Sequence, residues 1–394
     1  MIIKSLLDSD YYKFTMLQTV LHNYPGTTSK FKFKCRGDGL QINENFLKDL
    51  NLQLDELCTL RFNREEILYL SNIDYFKIDF IEFLRLFQFN RNYIKAYIKD
   101  GILEIEIFGP WISTILFEVP VLAIVNEINS NYTINFENNK FYDEGMLRLN
   151  TKINIINNPI LDDLSFADFG TRRRFNYKWH DIVIDTLTKK CKRFVGTSNV
   201  YFAMKYGIKP IGTMAHEFLQ AFQQLGPRLI DSQKEALDLW IKEYRGSLGI
   251  ALSDVVGFDA FLKDFDLYFA KLYDGCRHDS GDPIVWCNKL IKHYENLGID
   301  PRTKTAVFSD GLTFTKIIEL FHKFNSKIKT SFGIGTNLTN DVGLKPIQIV
   351  IKMTECNGKP VAKLSDSVGK EMCEDENFVK YLRLVFNIKS GGEL

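Results

Sequence analysis

The sequence predicts an α/β protein, with an irregular, incomplete α/β barrel joined to an α+β region built from the start and the end of the chain. Three observations carry this prediction. From Leu164 onward, short apolar runs end in small, glycine or polar residues and are each followed by an amphipathic stretch, the repeat of a parallel sheet with crossover helices. Ahead of Asn131 the pattern is mixed, with helical stretches beside alternating ones. After about Pro346 an apolar run to Met353 and a helical stretch, Asn377 to Phe386, return to the character of the first region. The expected units are residues 1–130 with 346–394, and residues 131–345. A chain of 394 residues, 45% apolar and 13% aromatic, has material for about two cores and a deep pocket.

In order, Ser9 and Asp10 are placed to cap a helix through Tyr12, Phe14, Leu17, Val20 and Leu21, which Pro25-Gly26 stops. Phe31, Phe33 and Cys35 then alternate with Lys30, Lys32, Lys34 and Arg36, the mark of a half-exposed strand. Helical spacing occupies Glu44 to Leu57 and Glu65 to Leu70, and Tyr93 to Phe108 reads as a hairpin turning at Asp100-Gly101. Gly109-Pro110 closes that region, and Pro120 opens a helix to Asn131. The barrel runs are Leu164–Gly170, Arg193–Asn199, Pro210–Glu217, Gly249–Asp254, the stretch after Leu267–Leu272, Ala306–Gly311 and Ser331–Asn337. Leu267 to Leu272 itself reads as a strand, and Ile284 to Tyr294 as a helix after Pro283. If the sheet closes, every polar ending lands on one rim. A doubly wound open sheet, the alternative, scatters them about a switch point.

Composition narrows the function. A net charge of +1 gives no overall excess to attract nucleic acid or a membrane surface. Seven cysteines, an odd number with no Cys-x-x-Cys, disfavour a disulfide framework and a structural zinc site, which fits a reduced, cytoplasmic protein. No signal-peptide pattern follows Met1, and no apolar run is read as reaching the ~18 residues of a membrane span. Gly-x-x-x-x-Gly-Lys-Ser/Thr and Gly-x-Gly-x-x-Gly are absent, and His216-Glu217 lacks the second histidine of a zinc protease.

Tyr273 to Pro283 packs a guanidinium, Arg277, and the carboxylates of Asp274, Asp279 and Asp282 beside Gly275 and Gly281. Such a set suits an anion with a metal or hydroxyls. Ser309-Asp310-Gly311 and Gly333-Ile334-Gly335-Thr336-Asn337 offer backbone N–H groups ahead of helices, a phosphate cradle that needs no lysine. Arg172-Arg173-Arg174, directly after Phe169-Gly170-Thr171, suits a polyanion such as pyrophosphate. His216 is flanked by Gly212, Thr213 and Glu217, and Asp254 is expected on the next rim loop, so a carboxylate can orient the ring and leave one nitrogen as a nucleophile.

Asp10-x-Tyr12-Lys13-x-x-Met16, Asp168 through Phe175, Gly196-Thr197-Ser198-Asn199, Gly212-Thr213-x-x-His216-Glu217, Arg277-x-Asp279-Ser280-Gly281-Asp282 and the two phosphate loops together resemble the bacterial nicotinate phosphoribosyltransferases, of the type II phosphoribosyltransferase family. The tail, Lys363-Leu364-Ser365-Asp366 with Gly369-Lys370, is similar as well. The resemblance implies a sandwich-like first domain on the incomplete barrel. It also implies transfer of phosphoribose from phosphoribosyl pyrophosphate to nicotinate, coupled to ATP. By the same resemblance Tyr12 and Phe169 stack on the pyridine ring, Arg277 meets its carboxylate, and Arg172 works near ring and pyrophosphate. Asp279 takes ribose hydroxyls or the waters of Mg²⁺, and the loops of Ser309, Asp310, Gly311, Gly333, Gly335 and Thr336 hold the 5′-phosphate. His216 becomes a phosphohistidine, and a homodimer with shared sites brings Tyr12 from a neighbouring subunit.

Relatives that act on nicotinamide carry an aspartate where this chain has Ser198, and a carboxylate there would repel nicotinate, so Ser198 favours nicotinate. A nicotinamide enzyme and a sugar-phosphate barrel enzyme with a Schiff-base lysine are the alternatives. No rim ending named above contains a lysine.

Overall fold

The computed structural model describes residues 1–133, 140–364 and 373–388, so Ser365, Asp366, Gly369 and Lys370 of the tail motif lie outside the described residues. The described strands, in chain order, are β1 (Thr28–Cys35), β2 (Ile94–Lys99), β3 (Ile102–Pro110), β4 (Phe166–Asp168), β5 (Phe194–Thr197), β6 (Ile250–Leu252), β7 (Gly275–His278), β8 (Thr305–Phe308), β9 (Lys329–Ile334), β10 (Ile349–Cys356) and β11 (Lys359–Pro360). They form two sheets.

The first sheet has the order β11-β10-β1-β3-β2 and its neighbours run antiparallel. In β1, Phe31 and Phe33 face the core while the lysines alternate outward. The apolar run after Pro346 supplies β10, which pairs Phe31 with Met353 and Phe33 with Ile351, so the tail does return to the first sheet. The hairpin turns at Asp100 (φ 50°) and Gly101 (φ 75°), both left-handed as a two-residue turn requires. Helices Glu44–Leu57 and Arg64–Ser71 stand where spacing placed them. Helix Ile78–Leu86 has no sequence-based counterpart; it is short, and its cap, Lys77, makes no side-chain bond that would announce it.

The second sheet has the order β5-β4-β9-β8-β7-β6 with parallel neighbours throughout. Successive strands are neighbours, and β4, the first of them, also pairs with β9, the last. That cyclic order is a barrel and not a doubly wound sheet, which would change direction at a switch point. It is incomplete between β5 and β6. There the predicted run Pro210–Glu217 forms an extended segment over residues 210–215 and then a helix, not a strand: Pro210 has no N–H to give a ladder, Ile211 N donates to Thr197 O at 2.9 Å, and Thr213 Oγ1 donates to Ile250 O at 2.9 Å. A second correction concerns Leu267–Leu272, which is helical, capped by Asp266 through the N–H groups of Tyr268 and Phe269. The strand is Gly275–His278, inside the motif itself, and helix Pro283–Asn296 follows with Asp282 as its cap.

The first helix, Tyr11–Asn23, is buried from Tyr11 to Val20 and lies against the open side of its own barrel. Tyr11 N donates to Ser198 O at 2.7 Å and Thr15 Oγ1 to Thr213 O at 2.6 Å. Gly212 (φ +156°) permits this approach, since a Cβ there would come within 3.1 Å of Tyr12 N. Asp10 stands at the helix start without capping it; its carboxylate accepts from Ser198 Oγ instead, at 2.7 Å. The helical stretch Trp111–Thr133 does reach membrane-spanning length, with a mean hydropathy of 1.6, contrary to the reading of the sequence. Its most apolar window is 83% buried within the protein, the position of a core helix.

Candidate active site

The carboxyl ends of the barrel strands meet on one rim. Phe169 follows β4, Ser198 follows β5, Asp279 follows β7, Ser309-Asp310-Gly311 follow β8, and Gly335-Thr336 follow β9. Arg277 lies within β7, where its backbone is paired on both sides, to Leu252 and Val307. All of these line a single cavity of about 400 Å³, together with Tyr12, Arg172 and His216. Gly333 does not. It sits in β9 beneath the Phe169 ring, where a Cβ would fall 2.2 Å from a ring carbon, so its role is to seat Phe169 and not to bind phosphate.

Buried Asp168 builds the corner of the cavity beside Phe169 and Ser198. Its carboxylate accepts from Gly170 N (2.8 Å), Thr197 Oγ1 (2.7 Å) and the His180 ring (2.7 Å), which ties the loop after β4 to the loop after β5. Tyr12 reaches this corner from its own chain. The expectation that a neighbouring subunit supplies it is corrected: the helix carrying Tyr12 is fastened to the same chain's barrel, and the adjacent Lys13 is ion-paired to Glu118 (2.7 Å) and Glu217 (2.8 Å). The argument from Ser198 changes too, because Asp10 places a carboxylate beside that hydroxyl and also lines the cavity. Burial pushes the Asp10 carboxyl up, against Arg172, Ser198 and Thr171.

At the other end His216 begins helix His216–Leu225. Asp254 is the carboxylate that orients it, with Oδ1 2.9 Å from Nε2, whereas Asp279 Oδ2 stands 3.5 Å away. Burial, reinforced by the Lys363 ammonium and opposed by Asp254, lowers His216 to about 4, so the imidazole is neutral at pH 7. Asp254 is fully engaged, its Oδ2 accepting from Ser280 (2.6 Å) and Lys363 (2.9 Å). Asp279 accepts from Ser309 through Oδ1 (2.9 Å) and keeps Oδ2 more open. Burial raises its pKa, but His216 and Arg277 outweigh that and hold it at about 2. One ligand atom from each of His216, Asp254 and Asp279 lies within 4.8 Å of the others, a spacing a cation can share. With Asp254 already saturated, Asp279 is the carboxylate able to hold the waters of a Mg²⁺ ion.

Four further cations line the cavity; sequence reasoning placed Arg173 in the triple arginine suited to a polyanion but gave no role to Arg36, Lys352 or Lys363. Arg36 follows β1, Arg173 follows Arg172, Lys352 lies on β10, and Lys363 lies beyond β11. Burial pushes Arg173 down to about 10, with Arg172 acting in the same direction. It pushes Lys352 down to about 8 against Glu118, with Lys363 and Arg172 assisting. The lysines come from strand and tail rather than from a rim ending, and the available signal was a lone lysine inside each of two apolar runs, Ile349–Met353 and Val361–Leu364. Among the described residues, Tyr12 Oη, Glu217 Oε1, Gln220 Oε1, Arg277 Nε and Asn337 Oδ1 are buried, line this cavity and have no hydrogen-bond partner. Buried polar atoms are seldom left so, and five around one cavity mark a site built for a polar ligand.

Comparison with known proteins gives the same outline. Residues 164–390 match the model of the nicotinate phosphoribosyltransferase (NAPRTase) family, and residues 7–126 match that of its N-terminal domain. A curated nicotinate phosphoribosyltransferase from Acidovorax sp. (strain JS42) is 53% identical over 400 residues, covering 99% of this chain and 100% of the relative. One from Ralstonia pickettii (strain 12J) is 51% identical over 393 residues, covering 99% and 100%. The crystal structure of nicotinate phosphoribosyltransferase from Vibrio cholerae superposes with a TM-score of 0.94 at 39% identity, covering 99% of this chain and 94% of that one. That from Porphyromonas gingivalis does so at 0.92 and 31%, covering 98% and 100%. With sequence, barrel order and full-length superposition in agreement, this chain belongs to the nicotinate phosphoribosyltransferase family.

Proposed function

We propose that the chain transfers the phosphoribosyl group of phosphoribosyl pyrophosphate to nicotinate, giving nicotinate mononucleotide and pyrophosphate, with ATP spent through His216. One observation carries the choice of a carboxylate-bearing ring: Arg277, whose Nε has no partner among the described residues, lines the same cavity as Tyr12 and Phe169. An aromatic pair beside an unsatisfied guanidinium suits a flat anion. The pyridine nitrogen forms the new bond to ribose C1 as the C1–oxygen bond breaks and its electron pair leaves with pyrophosphate. Arg36, Arg173 and Lys352 supply positive charge for that anion. The backbone N–H groups of the Ser309–Gly311 and Gly335-Thr336 loops take the 5′-phosphate, and Asp279 takes ribose hydroxyls or the waters of Mg²⁺, an ion that when bound neutralises pyrophosphate.

For ATP, Asp254 holds the proton on His216 Nε2 and leaves Nδ1 to attack the γ-phosphorus, with ADP departing. Water then releases phosphate. A homodimer remains part of the proposal, with Tyr12 and Arg277 supplied to one cavity by one chain. The test is product analysis with nicotinate and nicotinamide side by side, with and without ATP. Nicotinate mononucleotide should form from nicotinate, with ADP released. Equal turnover of nicotinamide, or product with no ADP under any condition, would overturn the respective part of the reading.

A further inference from the structure

Charges, all but Arg172 buried, run in one connected series along the cavity wall. Ser198 Oγ donates to Asp10 Oδ1 (2.7 Å), Asp10 Oδ2 is 3.8 Å from Arg172 Nε, and Arg172 Nη1 is 3.2 Å from Glu118 Oε1. Glu118 Oε2 is 2.7 Å from Lys13 Nζ, which is 2.8 Å from Glu217 Oε2. Glu217 is the next residue after His216, and Lys13 the next after Tyr12. Signs alternate along the whole series. It starts at the corner beside Phe169 and Ser198 and ends beside the proposed phosphoryl acceptor.

Packing alone does not account for Lys13. Its side chain is 0% exposed, and desolvating an ammonium costs several kcal/mol, so an apolar set in place of Lys13, Glu118 and Glu217 together would anchor the helix at least as well. What a lysine adds is a choice of partner. One ammonium serves two buried carboxylates, so it has two discrete arrangements, shared or drawn to one side. Glu118, which also has Arg172 and Lys352 nearby, is held below the usual carboxylate range despite its burial. Burial pushes Glu217 up, with Lys13 opposing and Glu118 assisting. Glu217 also keeps Oε1 buried and unpartnered at the cavity wall.

We infer that Lys13, acting with Glu118 and Glu217, is a positioning residue that links the two ends of the cavity, so that phosphoryl transfer to His216 changes how firmly Tyr12 and Arg172 are held. The inference rests on the proposed use of ATP and adds the route by which it reaches the ring site. A phosphoryl group on His216 sets negative charge beside Glu217 and draws Lys13 toward that end. Glu118, left with a weaker hold on Lys13, pairs more closely with Arg172. Arg172, 36% exposed, then moves inward toward Tyr12. In a wall of low dielectric such a redistribution is transmitted with little screening.

The experiment uses the full chain with Lys13→Met, Lys13→Arg and Glu217→Gln, and measures ADP and nicotinate mononucleotide in the same reaction together with acid-labile phosphoenzyme. Wild type should give a fixed ratio of product to ADP. Lys13→Met and Glu217→Gln should lower that ratio about tenfold, within the usual span of coupling between sites, while phosphoenzyme still forms; Lys13→Arg should restore part of it. A merely structural role lowers both products together. That outcome, or an unaltered ratio, overturns the inference. If Lys13→Met shows no cooperative melt, Glu217→Gln, which keeps the shape and leaves Lys13 paired with Glu118, decides the matter with the same two outcomes. A wild-type chain that makes product without consuming ATP overturns the underlying reading, and the inference with it.

Discussion

Replacing Arg277 by glutamine removes the charge but keeps much of the side-chain length, which makes it the sharpest probe of substrate choice. The backbone at this position is held independently of the side chain, by pairing to Leu252 and Val307 and by Ser253 Oγ donating to Arg277 O at 2.8 Å. Fold loss is therefore not expected. A hydrogen bond between charged partners contributes about 1.5 to 3 kcal/mol, so kcat/KM for nicotinate should fall roughly 10- to 150-fold. A pyridine with a neutral amide in place of the carboxylate forfeits only a neutral bond of about 1 kcal/mol, near fivefold. Steady-state kinetics on both substrates, at saturating phosphoribosyl pyrophosphate, gives the comparison. Equal losses for the two would refute the pairing of Arg277 with the substrate carboxylate.

Three further outcomes follow from the geometry. Gly333→Ala places a methyl group into the Phe169 ring, so it should cost about 1 to 3 kcal/mol of stability by overpacking and raise KM for nicotinate more than it lowers kcat; an unchanged KM would detach Phe169 from the ring site. His216 is lowered to about 4, so between pH ~6.5 and about 4 the unfolded chain takes up a proton that the folded chain refuses. Stability should therefore drop as pH falls through that window, by roughly 3 kcal/mol at most, and His216→Asn, measured in metal-free buffer by thermal melts, should flatten the slope. Because Tyr12 and His216 line one cavity of one chain, mixing Tyr12→Ala with His216→Ala protomers should recover no activity, and dilution should leave specific activity constant. Recovery on mixing would return Tyr12 to a neighbouring subunit.

Much of the site was legible because its residues follow strand ends, where turn chemistry shows in the sequence. Asp282-Pro283 announces a helix by cap and first-turn proline, and Asp282 does accept from Ile284 N and Val285 N. Leu267–Leu272 was misread because six residues, five apolar and one lysine, carry no decisive period; the better signal was Asp266, which caps them. Pro210–Glu217 has the composition of its neighbours, and its one local sign of irregularity is the proline that opens it, which withholds a ladder N–H. The ion series was beyond reach. Lys13 meets a partner 204 positions away, and no local pattern reports such a pairing. For the same reason the number of Tyr12 in the chain did not say which subunit's cavity it enters; contacts of its helix with Ser198 and Thr213 do. Gly333 lies in a phosphate-like loop motif, yet the space above it is filled by Phe169, a fact of packing alone.

The account is tested most directly by a crystal structure of the complex with nicotinate mononucleotide. It should show the pyridine ring between Tyr12 and Phe169 of the same chain, with its carboxylate about 3 Å from the Arg277 guanidinium. A ring bound elsewhere in the cavity, or one stacked on a Tyr12 from a second chain, would contradict it.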